Sequence, residues 1–84
     1  MEYNEKKRLI RMPEVVRLYG LSRPVIYKKI EQGLLPRQVK IGARASAWPS
    51  NEIDRIIQAR IAGKTDDEIR SLVRQLTADR QSYM

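Results

Sequence analysis

The sequence predicts a small, mainly α-helical domain with one β-hairpin, and three observations support this fold class. Apolar residues recur at helical spacing in several segments that glycine, proline or polar residues separate. One short segment, residues 38–48, instead alternates polar and apolar side chains on either side of a glycine, which is typical of a hairpin. A chain of 84 residues builds one core of marginal size, which favours short helices over a large sheet.

The stretch from Gly20 to Gly33 is predicted to form the turn and second helix of a helix-turn-helix. Gly20 can adopt the positive φ that a sharp turn between helices needs. Ser22 is a suitable N-cap, because its hydroxyl can accept a hydrogen bond from the first turn. Ile26 and Ile30 are four residues apart and are expected to be buried on one stripe. Gly33 is expected just beyond the C-terminal end.

The outer face of this second helix is predicted to be cationic, with one aromatic side chain. A short, rigid, cationic helix suits the DNA major groove, which admits one α-helix. A charged face that is merely solvated is the alternative. The residues expected on this face are Arg23, Tyr27, Lys28 and Lys29.

The distribution of charge favours the nucleic-acid interpretation. The net charge is +7, and residues 1–49 hold all of the excess, with 11 Lys/Arg against 4 Asp/Glu. Residues 50–84 hold six of each and are neutral. A surface that binds a polyanion needs such asymmetry, because neutralising phosphates releases counterions and supplies most non-specific affinity. An RNA or an acidic protein partner is the alternative.

The residue types that are missing argue against an enzyme. The sequence has no cysteine and no histidine, which removes thiolate chemistry, disulfides and the commonest general base. We therefore expect no catalytic activity, no cofactor and no metal. No apolar run approaches the length of a membrane span, so we expect a cytoplasmic bacterial protein with no membrane partner.

The N-terminal region is predicted to lead into the first helix. Residues 1–8 are expected to form a flexible basic arm that either contacts phosphate or only solubilises the terminus. Residues 9–12 form either a brief strand or a lead-in. The first helix is expected to begin near Pro13, which suits the first helical position. Its apolar residues Val15, Val16 and Tyr19 are expected to face the second helix.

The hairpin is predicted to form a wing beside the second helix. Residues 38–41 form the first strand, residues 42–44 the turn and residues 45–48 the return strand. Lys40 and Arg44 are expected to project toward DNA, with a hairpin that only covers the core as the alternative. The hairpin ends at Trp48, which is expected in the core because large aromatic side chains dominate small cores.

The third helix is predicted to be scaffold. Ser50 is expected to cap it, Glu52 to complement the dipole of its first turn, and Gly63 to end it. Its apolar stripe follows the i, i+3, i+4, i+8 spacing of a helix that packs on one face. The stripe consists of Ile53, Ile56, Ile57 and Ile61.

A fourth amphipathic helix is predicted from about residue 66 to residue 76. Thr65 and Glu68 have the spacing of a capping box, which explains the acidic cluster without a metal or catalytic role. We expect its apolar stripe to fold back on the core, with a partner protein as the alternative. The predicted organisation is thus an arm (1–8), a winged helix-turn-helix (9–63), an added helix (64–77) and a flexible tail (78–84).

Taken in this order, the chain resembles the AlpA family of prophage regulators, which is similar to MerR-type DNA-binding domains and phage excisionases. The resemblance covers about residues 8–62. It is carried by Arg8-Leu-Ile-Arg-Met-Pro-Glu-Val, Gly20-Leu-Ser-Arg, Ile26-Tyr-Lys, Gly33, Leu35-Pro-Arg, Val39-Lys-Ile-Gly, Arg44, Ala47-Trp48 and Glu52-Ile53.

The resemblance implies a sequence-specific double-stranded DNA-binding regulator. The second helix would enter the major groove with Ser22, Arg23, Tyr27 and Lys28 at reading positions, and the wing would contact backbone or minor groove. Family members activate prophage genes, and relatives are excisionases that bend attachment-site DNA for an integrase. Integrase or RNA polymerase would then be a protein partner, with a homo-oligomer or cooperative assembly on DNA.

Two features depart from the family pattern. Pro24 stands where a small polar residue is usual, and the helix after Thr65 extends beyond the minimal domain. A rival function is a protein-interaction module that inhibits a signalling or recombinase partner through the third and fourth helices. Such a module would not need the +7 charge of residues 1–49.

Overall fold

The computed structural model describes residues 8–82 and confirms the predicted fold class. Most of this region is helical, and a small antiparallel sheet completes a winged helix-turn-helix. The elements, in chain order, are β1 (Leu9–Ile10), α1 (Met12–Tyr19), α2 (Arg23–Glu31), β2 (Val39–Gly42), β3 (Ala45–Pro49), α3 (Ser50–Ile61), α4 (Asp66–Asp79) and a 3₁₀ turn (Arg80–Ser82).

The sheet has the order β1-β3-β2, so β3 is the central strand. Ile10 of β1 pairs with Trp48, and Val39 of β2 pairs with Ala47. Residues 9–10 therefore form a strand, which decides between the two alternatives for the lead-in. The hairpin of β2 and β3 is the predicted wing, and β1 joins it to the start of α1.

The expected cap of α3 is wrong by one residue. The N-cap is Pro49, and Ser50 is the first residue of the helix. The Ser50 hydroxyl accepts a hydrogen bond from the Arg8 backbone N–H at 3.0 Å, and the Ser50 N–H donates to the Arg8 carbonyl at 2.7 Å. Arg8 was expected in the loose arm, but its guanidinium also pairs with Glu14 at 2.9 Å. Residues 1–7 lie outside the described residues.

The helix-turn-helix forms largely as predicted. Helix α1 begins at Met12, so Pro13 is its second residue and not its first. Gly20 has φ 78° and ends α1. Ser22 is the N-cap residue of α2, but its side chain makes no capping hydrogen bond, which corrects the expected role of its hydroxyl. Ile26 is fully buried, as predicted.

Two residues of the predicted apolar stripes are exposed. Ile41 is 43% exposed, because a bulge between Lys40 and Gly42 interrupts the alternation of β2. Ile61 is 81% exposed. At 100° per residue, Ile61 lies about 80° around the helix from the fully buried Ile53, whereas Arg60 lies about 20° from it. The half-buried position at the end of α3 therefore belongs to Arg60.

Arg60 joins three helices. Its Nε donates to the Tyr19 hydroxyl of α1 at 3.2 Å, and its Nη1 pairs with Asp66 of α4 at 3.0 Å. Burial works against the charge, but the hydrogen bonds to Tyr19 and Asp66 outweigh it and raise the pKa of the Arg60 guanidinium.

Helix α4 packs on the core of its own chain, as expected. Its predicted stripe consists of Ile69, Leu72, Val73 and Leu76; Leu72 is partly buried and the other three are buried. They join one cluster with residues of every other helix and of the sheet. Trp48 is also in this cluster, 1% exposed, and its Nε1 donates to the Pro36 carbonyl at 2.8 Å.

The segment expected to be a flexible tail, residues 78–84, is helical as far as residue 82. Arg80 anchors this segment to α3. Arg80 donates from Nε and Nη2 to the two carboxylate oxygens of Glu52, at 2.8 and 2.6 Å. Its Nη2 also donates to the Arg37 carbonyl at 2.8 Å. Glu52 is fully buried, and Arg80 is its ion-pair partner. The sequence predicted only that Glu52 complements the dipole of α3. The tail prediction failed because this ion pair joins residues 28 positions apart.

We expect Gly20→Ala to lower the free energy of unfolding by about 1–2 kcal/mol, because φ 78° is unfavourable for a residue with a Cβ. The cost is purely conformational, since a Cβ at Gly20 would meet no atom within 4 Å. Gly42→Ala is the matched control. Gly42 lies outside the positive-φ region and a Cβ there would lie 3.6 Å from Ala45. Urea denaturation compares the two, and equal losses would contradict this explanation.

The capping box predicts a pH-dependent contribution from Glu68. The Thr65 N–H donates to Glu68 Oε1 at 2.8 Å, and this bond is the main cause that lowers the pKa of Glu68. A lowered pKa stabilises the fold above the ordinary pKa of a glutamate, and the stabilisation is lost as the pH falls through the lowered value. Wild type should therefore lose its advantage over Glu68→Gln in acid. Urea denaturation across pH measures this, and a constant difference would refute it.

Arg80→Ala should destabilise the protein by about 3–5 kcal/mol, because it leaves the Glu52 carboxylate buried without its partner. The double variant Glu52→Leu, Arg80→Leu should lose less, since no charge stays buried. Arg74→Ala is the control, because Arg74 is exposed and donates to Ser71 within its own helix. Thermal and urea unfolding report all three. A loss for Arg80→Ala as small as for Arg74→Ala would show that the buried pair is unimportant.

Candidate nucleic-acid interface

A groove of about 520 Å³ lies between α2 and the wing. Three arginines, one tyrosine and two neutral polar side chains line it, and none of its lining residues is acidic. We call it the basic groove. It is lined by Arg11, Met12, Pro13, Arg23, Tyr27, Gln38, Arg44, Ser46 and Trp48.

Each arginine reaches the basic groove from a different element. Arg11 follows Ile10 directly, and the pairing of Ile10 with Trp48 brings it to the edge of the central strand. Arg23 is the first residue of α2. Arg44 lies in the turn between β2 and β3. Three separate backbone positions, each held by the sheet or the helix, therefore direct positive charge into one groove.

The structure brings together three of the seven residues predicted from sequence. Arg23 and Tyr27 lie one helical turn apart on α2, and Arg44 approaches from the wing. The other four lie outside the groove lining. Ser22, Lys28 and Lys40 are exposed, and Lys29 is half-buried.

Lys40 nevertheless shares a face with the groove. It pairs directly with Ser46 of β3, and cross-strand partners lie on the same face of a sheet. Ser46 lines the groove, so Lys40 lies on the groove side of the wing. It therefore extends the cationic surface along the hairpin.

Sequence reasoning missed Arg11, Gln38 and Ser46. Arg11 belongs to a basic run at the start of the chain, but nothing local distinguishes it from its neighbours. Its place depends on the pairing of β1 with β3, which joins residues about 40 positions apart. Alternation along the wing could have placed Gln38 and Ser46 on one face, since both are polar and flank the hairpin turn.

Ion pairing divides the molecule into two electrostatic parts. Within residues 8–82, three of the four ion pairs involve α3 or α4: Arg60 with Asp66, Arg70 with Asp67, and Arg80 with Glu52. The arginines of the basic groove form no ion pair with the described carboxylates. Among the described residues, charge is thus paired mainly around α3 and α4 and not in the basic groove.

Two larger grooves have different chemistry. One, of about 640 Å³, lies between α3 and α4, and Asp67 and Glu68 oppose the basic residues of its lining. The other, of about 720 Å³, lies between α4 and the end of α2, and Glu31 is among its lining residues. Both carry mixed charge, so we base the candidate site on charge and not on volume.

Residues 8–82 contain no cluster of three or more side chains able to hold a metal ion. Across this part of the chain, no helix has the length and apolar content to cross a bilayer.

Comparison with known proteins identifies the family. The model of the prophage CP4-57 regulatory protein family (AlpA) matches residues 8–61. The chain belongs to the AlpA family. An uncharacterized protein of Enterobacteria phage P4, ORF88, is 42% identical over 59 residues, which is 70% of this chain and 67% of the phage protein. No solved structure matches the chain.

The family match includes every residue of the basic groove and ends at the last residue of α3. The match to this family of prophage regulatory proteins therefore covers the winged helix-turn-helix of the chain. Helix α4 and the Arg80 anchor lie outside the match.

Proposed function

We propose that this AlpA-family protein binds double-stranded DNA in a sequence-specific way and acts as a prophage-type regulator. The basic groove is the observation that carries the proposal. Its arginines come from three elements, face one space without an acidic residue and sit beside an exposed helix. DNA presents dense negative charge to such a surface.

In the proposed complex, α2 lies in the major groove and Arg23 reads a base. Arginine donates two hydrogen bonds to O6 and N7 of guanine, the commonest specific contact. Arg23 is exposed, stands at the first position of α2 and shares its face with Tyr27. The N-terminal residues of a recognition helix are those that reach base edges.

The lysines and the other two arginines are assigned to phosphate. Lys28, Lys29 and Lys40 do not line the groove. Phosphate contacts fix register without specifying sequence. Arg44 at the tip of the wing is suited to the backbone or to a narrow minor groove. Arg11 is added to this set because it also lines the basic groove.

Binding to random and candidate attachment-site duplexes across a salt series tests the proposal. We expect a preferred site to be bound at least about a hundredfold more tightly than random DNA. The logarithm of the binding constant should fall by about four to eight units per decade of salt.

DNA bending on the same fragments would identify an excisionase that assists an integrase. Weak binding that depends little on salt or sequence would favour the protein-interaction function instead.

Arg23→Ala should cost about 1–3 kcal/mol of binding free energy and relax specificity at one base pair. Lys28→Ala is the matched control, because it removes one exposed positive charge from the same helix. It should weaken all sequences alike and reduce the salt slope by about one unit. Competition binding with a library of single-base variants measures both. An unchanged preferred site and affinity for Arg23→Ala would exclude α2 as the reader.

A further inference from the structure

The link between α2 and the wing receives hydrogen bonds from the C-terminal part of the chain. This α2–β2 link, residues 32–38, connects the proposed reading helix to the first strand of the wing. Arg70 Nε donates to the Gln32 carbonyl at 2.8 Å, at the start of the link. Arg80 Nη2 donates to the Arg37 carbonyl at 2.8 Å, near its end. Both arginines lie outside residues 8–61, which the family model matches.

Arg70 holds the C-terminal end of α2. Gln32 is the C-cap, and Gly33 follows with φ 77°. The stem of Arg70 passes over Gly33, with Cγ 3.7 Å and Cδ 3.8 Å from where a Cβ would stand. The guanidinium thus satisfies a terminal carbonyl and adds positive charge at the negative end of the helix dipole. Arg70 of α4 therefore contacts the C-terminal end of α2 through both its stem and its guanidinium.

Arg80 holds the other end of the link. The same guanidinium that binds the buried Glu52 at the start of α3 also binds the Arg37 carbonyl. Between the two arginine contacts, the Pro36 carbonyl accepts the hydrogen bond from Trp48. The link is thereby tied to α4, to β3 and to the 3₁₀ turn, at three of its seven residues.

We propose that Arg70 and Arg80 are positioning residues that hold α2 and the wing in the mutual orientation needed to discriminate DNA sites. The proposal rests on the function proposed above. Neither residue lines the basic groove, so neither is assigned a DNA contact. Base readout depends on exact alignment, whereas phosphate attraction tolerates small displacements. Loss of these contacts should therefore reduce specific binding more than non-specific binding.

The primary test compares Arg70→Ala with Arg74→Ala. Both remove one positive charge from α4, but Arg74 donates to Ser71 of its own helix and not to a carbonyl of the α2–β2 link. We expect Arg70→Ala to lower affinity for the preferred site by about three- to tenfold relative to Arg74→Ala, the equivalent of one modest hydrogen bond. Affinity for random DNA and the salt slope should match those of the control. Measurements are made well below the melting temperature of both variants.

Hydrogen exchange without DNA gives a second readout. The Leu34 N–H donates to the Lys29 carbonyl and the Gly33 N–H to the Ile30 carbonyl, which closes the end of α2. Exchange at these two amides should accelerate in Arg70→Ala and not in Arg74→Ala. A purely global loss of stability would instead accelerate exchange at the core amides of both α2 and α3.

Arg80 is tested with Arg80→Lys, since the lysine keeps a positive charge beside Glu52 but cannot reproduce the planar fork that binds two partners. It should show the same loss of discrimination.

Equal discrimination in Arg70→Ala, Arg80→Lys and wild type would overturn the inference while leaving the proposed function intact. A flatter salt slope for Arg70→Ala would also overturn it, because it would mean a direct phosphate contact. A wild type without any preferred site would overturn both proposals.

Discussion

The burial of Trp48 is the constraint on which the rest of the structure depends. Its ring lies in the core, its strand is the centre of the sheet, and its N–H holds the Pro36 carbonyl in the α2–β2 link. The same side chain also contributes to the lining of the basic groove. A buried indole N–H needs a partner, so the position of the link follows from the position of the ring. The packing of the core and the shape of the basic groove therefore both depend on the position of Trp48.

The two halves of the chain differ in how the charges of their described residues are paired. Around α3 and α4, carboxylates and guanidinium groups pair, and one of these pairs includes the buried Glu52. Positive charge around α2 and the wing has no such partners among the described carboxylates. Mutual repulsion there costs stability that the scaffold must supply, and a polyanion would relieve the repulsion on binding.

Helix α4 shows how an addition to a small family domain can become part of its core. A domain of about sixty residues buries a limited share of its surface, so an amphipathic helix that packs on it adds substantial stability. Ile69, Val73 and Leu76 supply this burial. Arg70 of this helix and Arg80 of the 3₁₀ turn that follows it donate to the Gln32 and Arg37 carbonyls of the α2–β2 link. The C-terminal segment thus both adds to the core and binds the α2–β2 link.

Much of the fold was predictable because its signals are local. The period of the apolar residues, the glycines at helix ends and the Thr65–Glu68 capping box each act within a few residues, and the structure confirms them. The failures at Ser50 and at residues 78–82 share one cause. A serine can cap a helix or bind backbone that is distant in sequence. An arginine near the end of a chain can be solvated or anchored. Local sequence does not distinguish these outcomes.

The candidate site divides in the same way. The sequence by itself determined that one half of the chain is cationic and that Arg23, Tyr27 and Arg44 belong to a helix and a hairpin able to present them. Only the tertiary structure decided that Arg11 joins them, that Lys28 and Lys29 stand outside the groove, and that α4 binds the link behind α2. The reason is that helix faces follow from periodicity within one segment, whereas grooves and anchors depend on pairings between residues that are distant in sequence.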